Sequence, residues 1–145
     1  MKTLSVKEIE YAAYQLAKEL MTFNEPMPDF KTRFPNVLES CLAIPFQSFS
    51  GHSPYTGLVE KASILFYLMI KNHPFQNGNK RIAVTALLIF LYKNGKWITV
   101  DAMELYNFAK WVAYSNPKVK QPTLAAINQF LQMYLVPLGG VEKSL

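Results

Sequence analysis

A polar segment at residues 73–81, which reads HPFQNGNKR, lies between two of the most apolar stretches of the chain. It holds His73, one of the two histidines, together with several amides, a glycine and two adjacent cations, Lys80 and Arg81. A neutral imidazole can take a proton from a hydroxyl group, and cations and backbone N–H groups bind phosphate oxygens. These residue types could therefore hold a phosphate and move a proton beside it.

The two cations fall in the first turn of the helix that the sequence predicts from residue 79 onward. A helix N-terminus carries partial positive charge, so Lys80 and Arg81 are unfavourable there, and no carboxylate within the segment offsets them. An anion bound at this terminus would reverse the penalty. Gly78 lets the backbone approach such an anion closely, and Asn79 can cap the helix and donate its amide to a phosphate oxygen.

The same residues give little support to two other kinds of site, a Walker loop and a metal site. The spacing of a Walker phosphate-binding loop is absent, and His52 and His73 have no partners at the spacing of metal ligands. A structural alternative stays open, in which the amides only cap a helix while Lys80 and Arg81 extend into solvent. The lone cysteine, Cys41, lies in an apolar run and is interpreted as a buried core residue.

The elements that must position the segment are predicted to be helices, so the fold class is all-α. Ser5 with Glu8, and Asp101 with Glu104, have the spacing of helix N-caps. The helix that follows the segment is apolar almost all round, which places it at the centre of a bundle, and Gly95 ends it. The pattern predicts helices at residues 6–20, 36–44, 58–71, 79–93, 101–114 and 122–135.

Three connections break the helical pattern. Residues 24–35 contain three prolines and read as a surface loop. Within residues 45–57, phenylalanines and serines alternate ahead of Gly51, which predicts a hairpin-like flap before the helix pair that carries the segment. Residues 97–100 are predicted to form a short extended link.

Composition bounds the class of protein. The chain has 145 residues, and we predict one domain over residues 1–138 and a disordered tail at residues 139–145. No signal-peptide pattern or bilayer-spanning stretch is seen, so a cytoplasmic protein with no membrane partner is expected. The net charge of +5 is scattered, and the central helix is too apolar to lie in a groove of DNA, so nucleic acid ranks last among the partners considered.

Residues 73–81 resemble the signature of the Fic/Doc family, His-x-Phe-x-(Asp/Glu)-Gly-Asn-(Gly/Lys)-Arg. The approach at residues 58–62, the apolar helix that follows and the stop at Asn94 and Gly95 are similar to the Doc-type branch. The resemblance implies an all-helical bundle with a small β-hairpin flap before the motif helix pair. It also implies an enzyme that transfers part of a nucleotide onto a protein hydroxyl.

The same resemblance gives each motif residue a role. His73 would be the general base, and Gly78 and Asn79 would form the anion hole. Lys80 and Arg81 would bind the nucleotide phosphates. The flap would align the target chain by strand pairing, through Phe46, Ser48, Phe49, Ser50, Gly51, His52 and Tyr55.

The transferred group depends on Lys80 and Val84. AMP-transferring relatives usually have Gly at the first position and Arg at the second, whereas Lys without a second Arg is the Doc-type pattern. That pattern implies a toxin that moves the terminal phosphoryl group of ATP or another nucleoside triphosphate to a Ser or Thr of a protein, translation elongation factor Tu by analogy. Transfer of AMP or another nucleotidyl group is the alternative.

The family's self-inhibiting motif is matched only by residues 56–60, which read as a helix cap, so a separate antitoxin chain is expected as a partner.

Asn77 departs from the family pattern. Relatives have Asp or Glu there, and the carboxylate helps to hold Mg²⁺ against the phosphates. Asn offers only a neutral oxygen, whereas hard cations prefer anionic oxygen. Asn77 is therefore a poor metal ligand, and Mg²⁺ is expected to be held weakly. A further alternative is a Fic-like binding module that lost catalysis together with the acidic residue.

Overall fold

The chain folds as a helical bundle in a computed structural model that describes residues 1–20 and 26–139. The all-α class is confirmed, and the predicted helices are present with bounds that differ from the prediction by at most two residues. Two short strands, β1 (Lys96–Ile98) and β2 (Leu135–Pro137), form an antiparallel pair. The helices are α1 (Val6–Glu8), which continues through a π-helical turn (Ile9–Ala13) into α2 (Tyr14–Leu20), then α3 (Pro35–Ala43), α4 (Leu58–Lys71), α5 (Asn79–Lys93), α6 (Ala102–Tyr114) and α7 (Lys120–Tyr134).

Helix α5 is the centre of the bundle because it is apolar on every side. Every residue from 81 to 88 is buried, and α4 packs beside it as the other arm of a helical hairpin, with residues 61–70 buried as well. A helix that is apolar all round is stable only when neighbours cover each face. The loop between these two helices therefore lies at one end of the bundle, where its polar groups can reach solvent.

The N-terminal helix lies along α5 and is held to it by side-chain hydrogen bonds. Thr85 Oγ1 donates to the carbonyl of Ala13 at 2.7 Å, and Arg81 Nη2 donates to the carbonyl of Ala17 at 3.0 Å. The donors are four residues apart on α5 and the acceptors are four residues apart on the N-terminal helix, so one turn of each helix separates the two bonds. These bonds fix the position of the N-terminal helix along the axis of α5.

Several predicted connections take a definite form. Residues 26–34 lie mostly at the surface, as predicted, but the loop is anchored in the core by Phe30. This residue is 6% exposed and contacts the rings of Tyr14 and Phe75. Strand β1 includes the first two residues of the extended link that was predicted at residues 97–100. Its partner β2 begins at residue 135, where the last helix was predicted to end, and continues to residue 137. The predicted disordered tail lies, apart from Gly139, outside the described residues, as do residues 24 and 25 of the predicted loop.

The predicted hairpin at residues 45–57 is present in its shortest form. Phe49 and His52 exchange backbone hydrogen bonds of 2.7 and 2.9 Å around a two-residue turn, in which Ser50 and Gly51 both have positive φ. This backbone form matches the strand twist of tight hairpins. The Nζ of Lys61, a residue 8% exposed, donates to carbonyls at both ends of the segment, those of Pro45 and Tyr55, and so ties it to α4.

The central position of α5 predicts a large loss of stability when its core side chains are shortened. Leu87 is 1% exposed, so Leu87→Ala should lower the free energy of unfolding by about 2–5 kcal/mol, because the vacated space cannot close completely. Met133, which is 67% exposed, is the control. Met133→Ala should change the free energy of unfolding by no more than about 0.5 kcal/mol. Urea denaturation measures both, and equal losses would contradict the central position.

The ion pair between Glu8 and Lys93 predicts a pH-dependent part of the stability. The atoms Oε2 and Nζ are 2.6 Å apart. Partial burial alone would raise the pKa of Glu8, but hydrogen bonds from Lys93 and Ser5 outweigh it and lower the pKa below the ordinary 4.5. A carboxyl whose pKa is lower in the folded chain stabilises it at neutral pH, and this contribution is lost as the pH falls through the folded pKa.

Glu8→Gln should therefore lower the free energy of unfolding near neutral pH by up to about 1 kcal/mol, the range of partly exposed pairs. The difference between variant and parent should vanish near pH 2, where Glu8 is protonated in both the folded and the unfolded parent. Urea titrations at the two pH values measure it, and a difference that persists in acid would exclude the charge as its cause.

Candidate active site

The loop between α4 and α5 is anchored in the core by Phe75. This residue is 1% exposed, and its ring lies 5.8 Å from that of Phe30. His73, by contrast, is exposed and has a φ of 52°, a left-handed conformation that few non-glycine residues adopt. The buried ring of Phe75 thus anchors the loop two residues after His73, whose imidazole lies at the surface.

Asn79 closes the loop on itself. Its Oδ1 accepts from the backbone N–H of Phe75 and its Nδ2 donates to the carbonyl of Phe75, both at 2.9 Å. The same Nδ2 lies 3.4 Å from Nδ1 of His73, a contact that helps to orient the imidazole ring. Because these bonds use the carboxamide, Asn79 does not cap α5, which corrects part of the role expected for it. An anion at this helix end would be bound by backbone N–H groups instead.

Gly78 is the N-terminal cap of α5, and two independent constraints require glycine there. Its φ is +71°, in the left-handed region. A Cβ at this position would lie 3.0 Å from Sδ of Met27 and 3.4 Å from Cδ of Pro28. The start of residues 26–34 is therefore packed directly on the loop at the position where the backbone must bend.

Arg81 does not line the cavity beside His73. It is 3% exposed, and its guanidinium is turned toward α2, where it donates to the carbonyl of Ala17 at 3.0 Å. The structure therefore does not place Arg81 beside the histidine, and its role in binding a phosphate stays a prediction. The charge still lies in the first turn of α5, but its hydrogen bonding serves the contact between helices.

The cavity at the loop has a volume of about 190 Å³. Sites for whole small molecules usually span roughly 300–1,000 Å³, so this space suits one phosphate-sized group with the rest of a ligand lying outside it. A larger cavity of about 610 Å³ lies between α4 and α7, but the loop does not line it. The smaller space has the chemistry of a phosphate site, because Lys80 supplies a fixed charge and the described part of the chain contributes no carboxylate. Its lining is Ile70, His73, Gln76, Asn77, Asn79, Lys80 and Ala113.

The predicted target-docking residues lie at the other end of the bundle. Phe46 packs against Phe90 near the last turn of α5, with ring centroids 6.0 Å apart. Helix α4 has 14 residues, so roughly 21 Å of helix separates its two ends, and residues 45–57 precede the end remote from His73. The structure thus does not bring to the loop the set Phe46, Ser48, Phe49, Ser50, Gly51, His52 and Tyr55.

The segment that does lie beside the loop is residues 26–34. The N–H of Phe34 donates to the carbonyl of Pro74 at 2.9 Å, one residue after His73. Met27 and Pro28 lie over Gly78, as described above. Sequence reasoning missed this placement, although apolar residues spaced among the prolines were a signal that the segment packs inward.

The donor set of the loop fits a divalent metal poorly. Asn77 contributes a neutral carboxamide, and its buried Oδ1 has no hydrogen-bond partner among the residues that the structure describes. Over residues 1–20 and 26–139, no group of three or more His, Cys, Asp or Glu side chains is placed to hold a metal ion. Mg²⁺ in proteins is held by carboxylates together with substrate phosphates and water. The charged ligand that such a site needs from the protein is missing at this loop.

The steric argument at Gly78 predicts a graded effect of adding a methyl group. Gly95 also has positive φ, +75°, but a Cβ there would meet nothing within 4 Å. Gly95→Ala should cost about 1–2 kcal/mol of stability from backbone strain alone, and Gly78→Ala should cost more because crowding is added. When Met27→Ala is present as well, Gly78→Ala should lower the stability by less. Thermal unfolding of the three single variants and of the Met27→Ala/Gly78→Ala double variant measures this. An unchanged difference would exclude the Met27 contact as its source.

Comparisons with known proteins were made for the whole chain. A family model described as the Fic/DOC family matches residues 4–91. A relative named Toxin Doc, from Mycolicibacterium smegmatis, is 33% identical over 73 residues, which cover 50% of this chain and 56% of the relative. The chain therefore matches little more than half the length of that relative, and no solved structure matches it significantly. Within the described residues, every helix is too short or too polar to cross a membrane.

Proposed function

Because this chain belongs to the Fic/DOC family, we propose that it transfers the terminal phosphoryl group of ATP or another nucleoside triphosphate to a Ser or Thr hydroxyl of a protein. The observation that supports this proposal is that His73 and Lys80 line one cavity, to which residues 1–20 and 26–139 contribute no carboxylate. A base and a cation side by side are what the reaction needs. One accepts the proton of the attacking hydroxyl, and the other stabilises the charge on the phosphates.

In the proposed reaction the hydroxyl oxygen of the target attacks the γ-phosphorus. A new oxygen–phosphorus bond forms, the bond from the γ-phosphorus to the β–γ bridging oxygen breaks, and a nucleoside diphosphate leaves. The hydroxyl proton passes to the imidazole of His73. Phosphoryl transfer depends mainly on positioning and on electrostatic stabilisation, and both are properties of a short loop closed by Asn79 at a helix N-terminus.

The position of His73 suits a protein as the acceptor. Its side chain is exposed, so a hydroxyl on another chain can approach from solvent. The small cavity beside it accommodates the phosphate, and the nucleoside would lie outside. An acceptor that must reach a surface imidazole is consistent with transfer to a macromolecule.

AMP transfer is the alternative reaction, and Val84 argues against it. Relatives that transfer AMP usually have a second Arg at that position, whereas Val84 is fully buried in the core. No phosphate can be clamped there. Lys80, at the position where those relatives have Gly, lines the cavity instead. Both positions favour the terminal phosphoryl group as the part of the nucleotide that is moved.

The family resemblance and the relative's printed name, Toxin Doc, extend the proposal to biology. The chain would act as a toxin in the cytoplasm, and a separate antitoxin chain would control it. Translation elongation factor Tu is the proposed target by family analogy. Cys41 fits a reducing compartment as a core residue: it is buried, and burial raises the pKa of its thiol to about 11, so it stays a thiol.

A second candidate function is a binding module without catalysis. Two observations favour it: Asn77 provides no charge for a metal, and the guanidinium of Arg81 is committed to the carbonyl of Ala17. Such a module would still bind nucleotide or a partner chain at the loop. It differs from the enzyme in leaving no covalent mark on any protein.

The proposal predicts that labelling requires the imidazole at position 73. The purified chain is incubated with γ-labelled ATP and bacterial lysate, and labelled proteins are detected by gel and mass spectrometry. His73→Ala should reduce labelling by about 10²–10⁴-fold, the usual contribution of a general base. Lys110→Ala, a change at an exposed position outside the cavity, should leave labelling unchanged.

The mass of the modified target separates the candidate functions. A gain of one phosphate supports phosphoryl transfer, and a gain of one AMP supports the alternative reaction. Absence of any modified protein, while the folded chain still binds nucleotide, would support the binding module and overturn the proposed enzyme.

A further inference from the structure

We infer that the loop binds a nucleoside triphosphate without a divalent cation, with the ammonium group of Lys80 as the positive charge that neutralises the phosphates. This inference rests on the proposed function, since it concerns the same cavity and the same ligand. It is carried by three features of the described residues: the neutral amide at position 77, the uncommitted lysine at position 80, and the absence of a carboxylate from the cavity lining.

The residue at position 77 decides whether a cation is needed between protein and phosphate. A carboxylate there would repel a polyphosphate, and a divalent ion would have to bridge the two negative groups. The carboxamide of Asn77 carries no charge, so nothing has to be bridged. Its Oδ1 is buried and has no hydrogen-bond partner within the described ranges. A carboxamide can turn to present its NH₂ group, which donates to a phosphate oxygen.

Lys80 is available for this task because nothing else in the described structure uses it. It makes no hydrogen bond, ion pair or ring contact with residues 1–20 or 26–139. Other lysines of the same helix pair are committed: Lys61 and Lys71 each donate to backbone carbonyls, and Lys93 pairs with Glu8. A cation that lines a cavity without a partner is positioned for an anion that comes from outside.

The other oxygen atoms of the lining do not supply a metal site. The Oδ1 of Asn79 already accepts from Phe75, which leaves Asn77 and the exposed Gln76 as the neutral amide oxygens. Mg²⁺ demands near-octahedral coordination and gives up its water reluctantly, so neutral amides are poor competitors for it. A lysine delivers its charge without any such geometric demand.

Calorimetric titration of ATP into the full chain, once with Mg²⁺ and once with EDTA, tests the inference. The parent should bind ATP in EDTA with a Kd within about threefold of its value in Mg²⁺, since no carboxylate needs bridging. Lys80→Ala should weaken binding in EDTA by about 10- to 100-fold, the effect of losing charge-assisted hydrogen bonds. Lys110→Ala removes an exposed lysine outside the cavity and should match the parent.

Asn77→Asp is the converse test, because it restores the acidic residue. It should weaken ATP binding in EDTA by about tenfold or more and make binding depend on Mg²⁺. Asn116→Asp makes the same change of charge at an exposed turn, where the side-chain oxygen caps Lys118 and Asp can cap equally well. This control should behave like the parent in both buffers, and matching thermal unfolding midpoints show that the variants are folded.

The outcomes separate this inference from the proposed function. Binding of ATP by the parent only with Mg²⁺, or unchanged binding by Lys80→Ala, overturns the metal-free site and leaves the transferase proposal standing. Absence of ATP binding in both buffers overturns the two together.

Discussion

The burial of α5 on every side is the constraint on which the rest of the structure depends. A helix this apolar must be enclosed, so α4, α6 and the N-terminal helix pack around it. Its two ends are then the places where backbone polar groups can meet water. At the N-terminal end, the first backbone N–H groups of the helix and two consecutive cations lie at the edge of a dry interior. The concentration of unusual chemistry at residues 73–81 follows from this arrangement rather than from any large cleft.

Stiffness at the loop comes from several short contacts. Phe75 is held in the core, Asn79 closes the backbone over it, and Gly78 takes a conformation that side chains disfavour. The neighbouring residues 26–34 add a cover of Met27 and Pro28. A group transfer gains from atoms that are already in place before the ligand arrives. The small cavity beside the exposed imidazole is thus of a size to hold one phosphate group while the rest of a ligand lies outside it.

Local rules predicted much of this fold, and contacts between distant residues account for what they missed. The capping box at Ser5 and Glu8 and the end of α5 at Gly95, which has a positive φ, depend on near neighbours, so spacing and residue type were sufficient. The direction of Arg81 depends on a carbonyl 64 residues earlier, and the end of the bundle at which residues 45–57 lie depends on how α4 and α5 pack. The identity of the motif residues was readable from the sequence, but which of them share a cavity was not.

The hydrogen bonds between the first helix and α5 have a consequence for the order in which the molecule assembles. They join residues 64 and 72 positions apart, so this pairing cannot form until synthesis has passed α5. Helices α4 and α5 are sequence neighbours, and hairpins of this kind close quickly because little loop entropy is lost. The helix formed by α1 and α2 leaves the ribosome before α4 and α5 and would nevertheless dock after them. Residues 26–34, which follow that helix in the chain, would then cover the loop only at this late step.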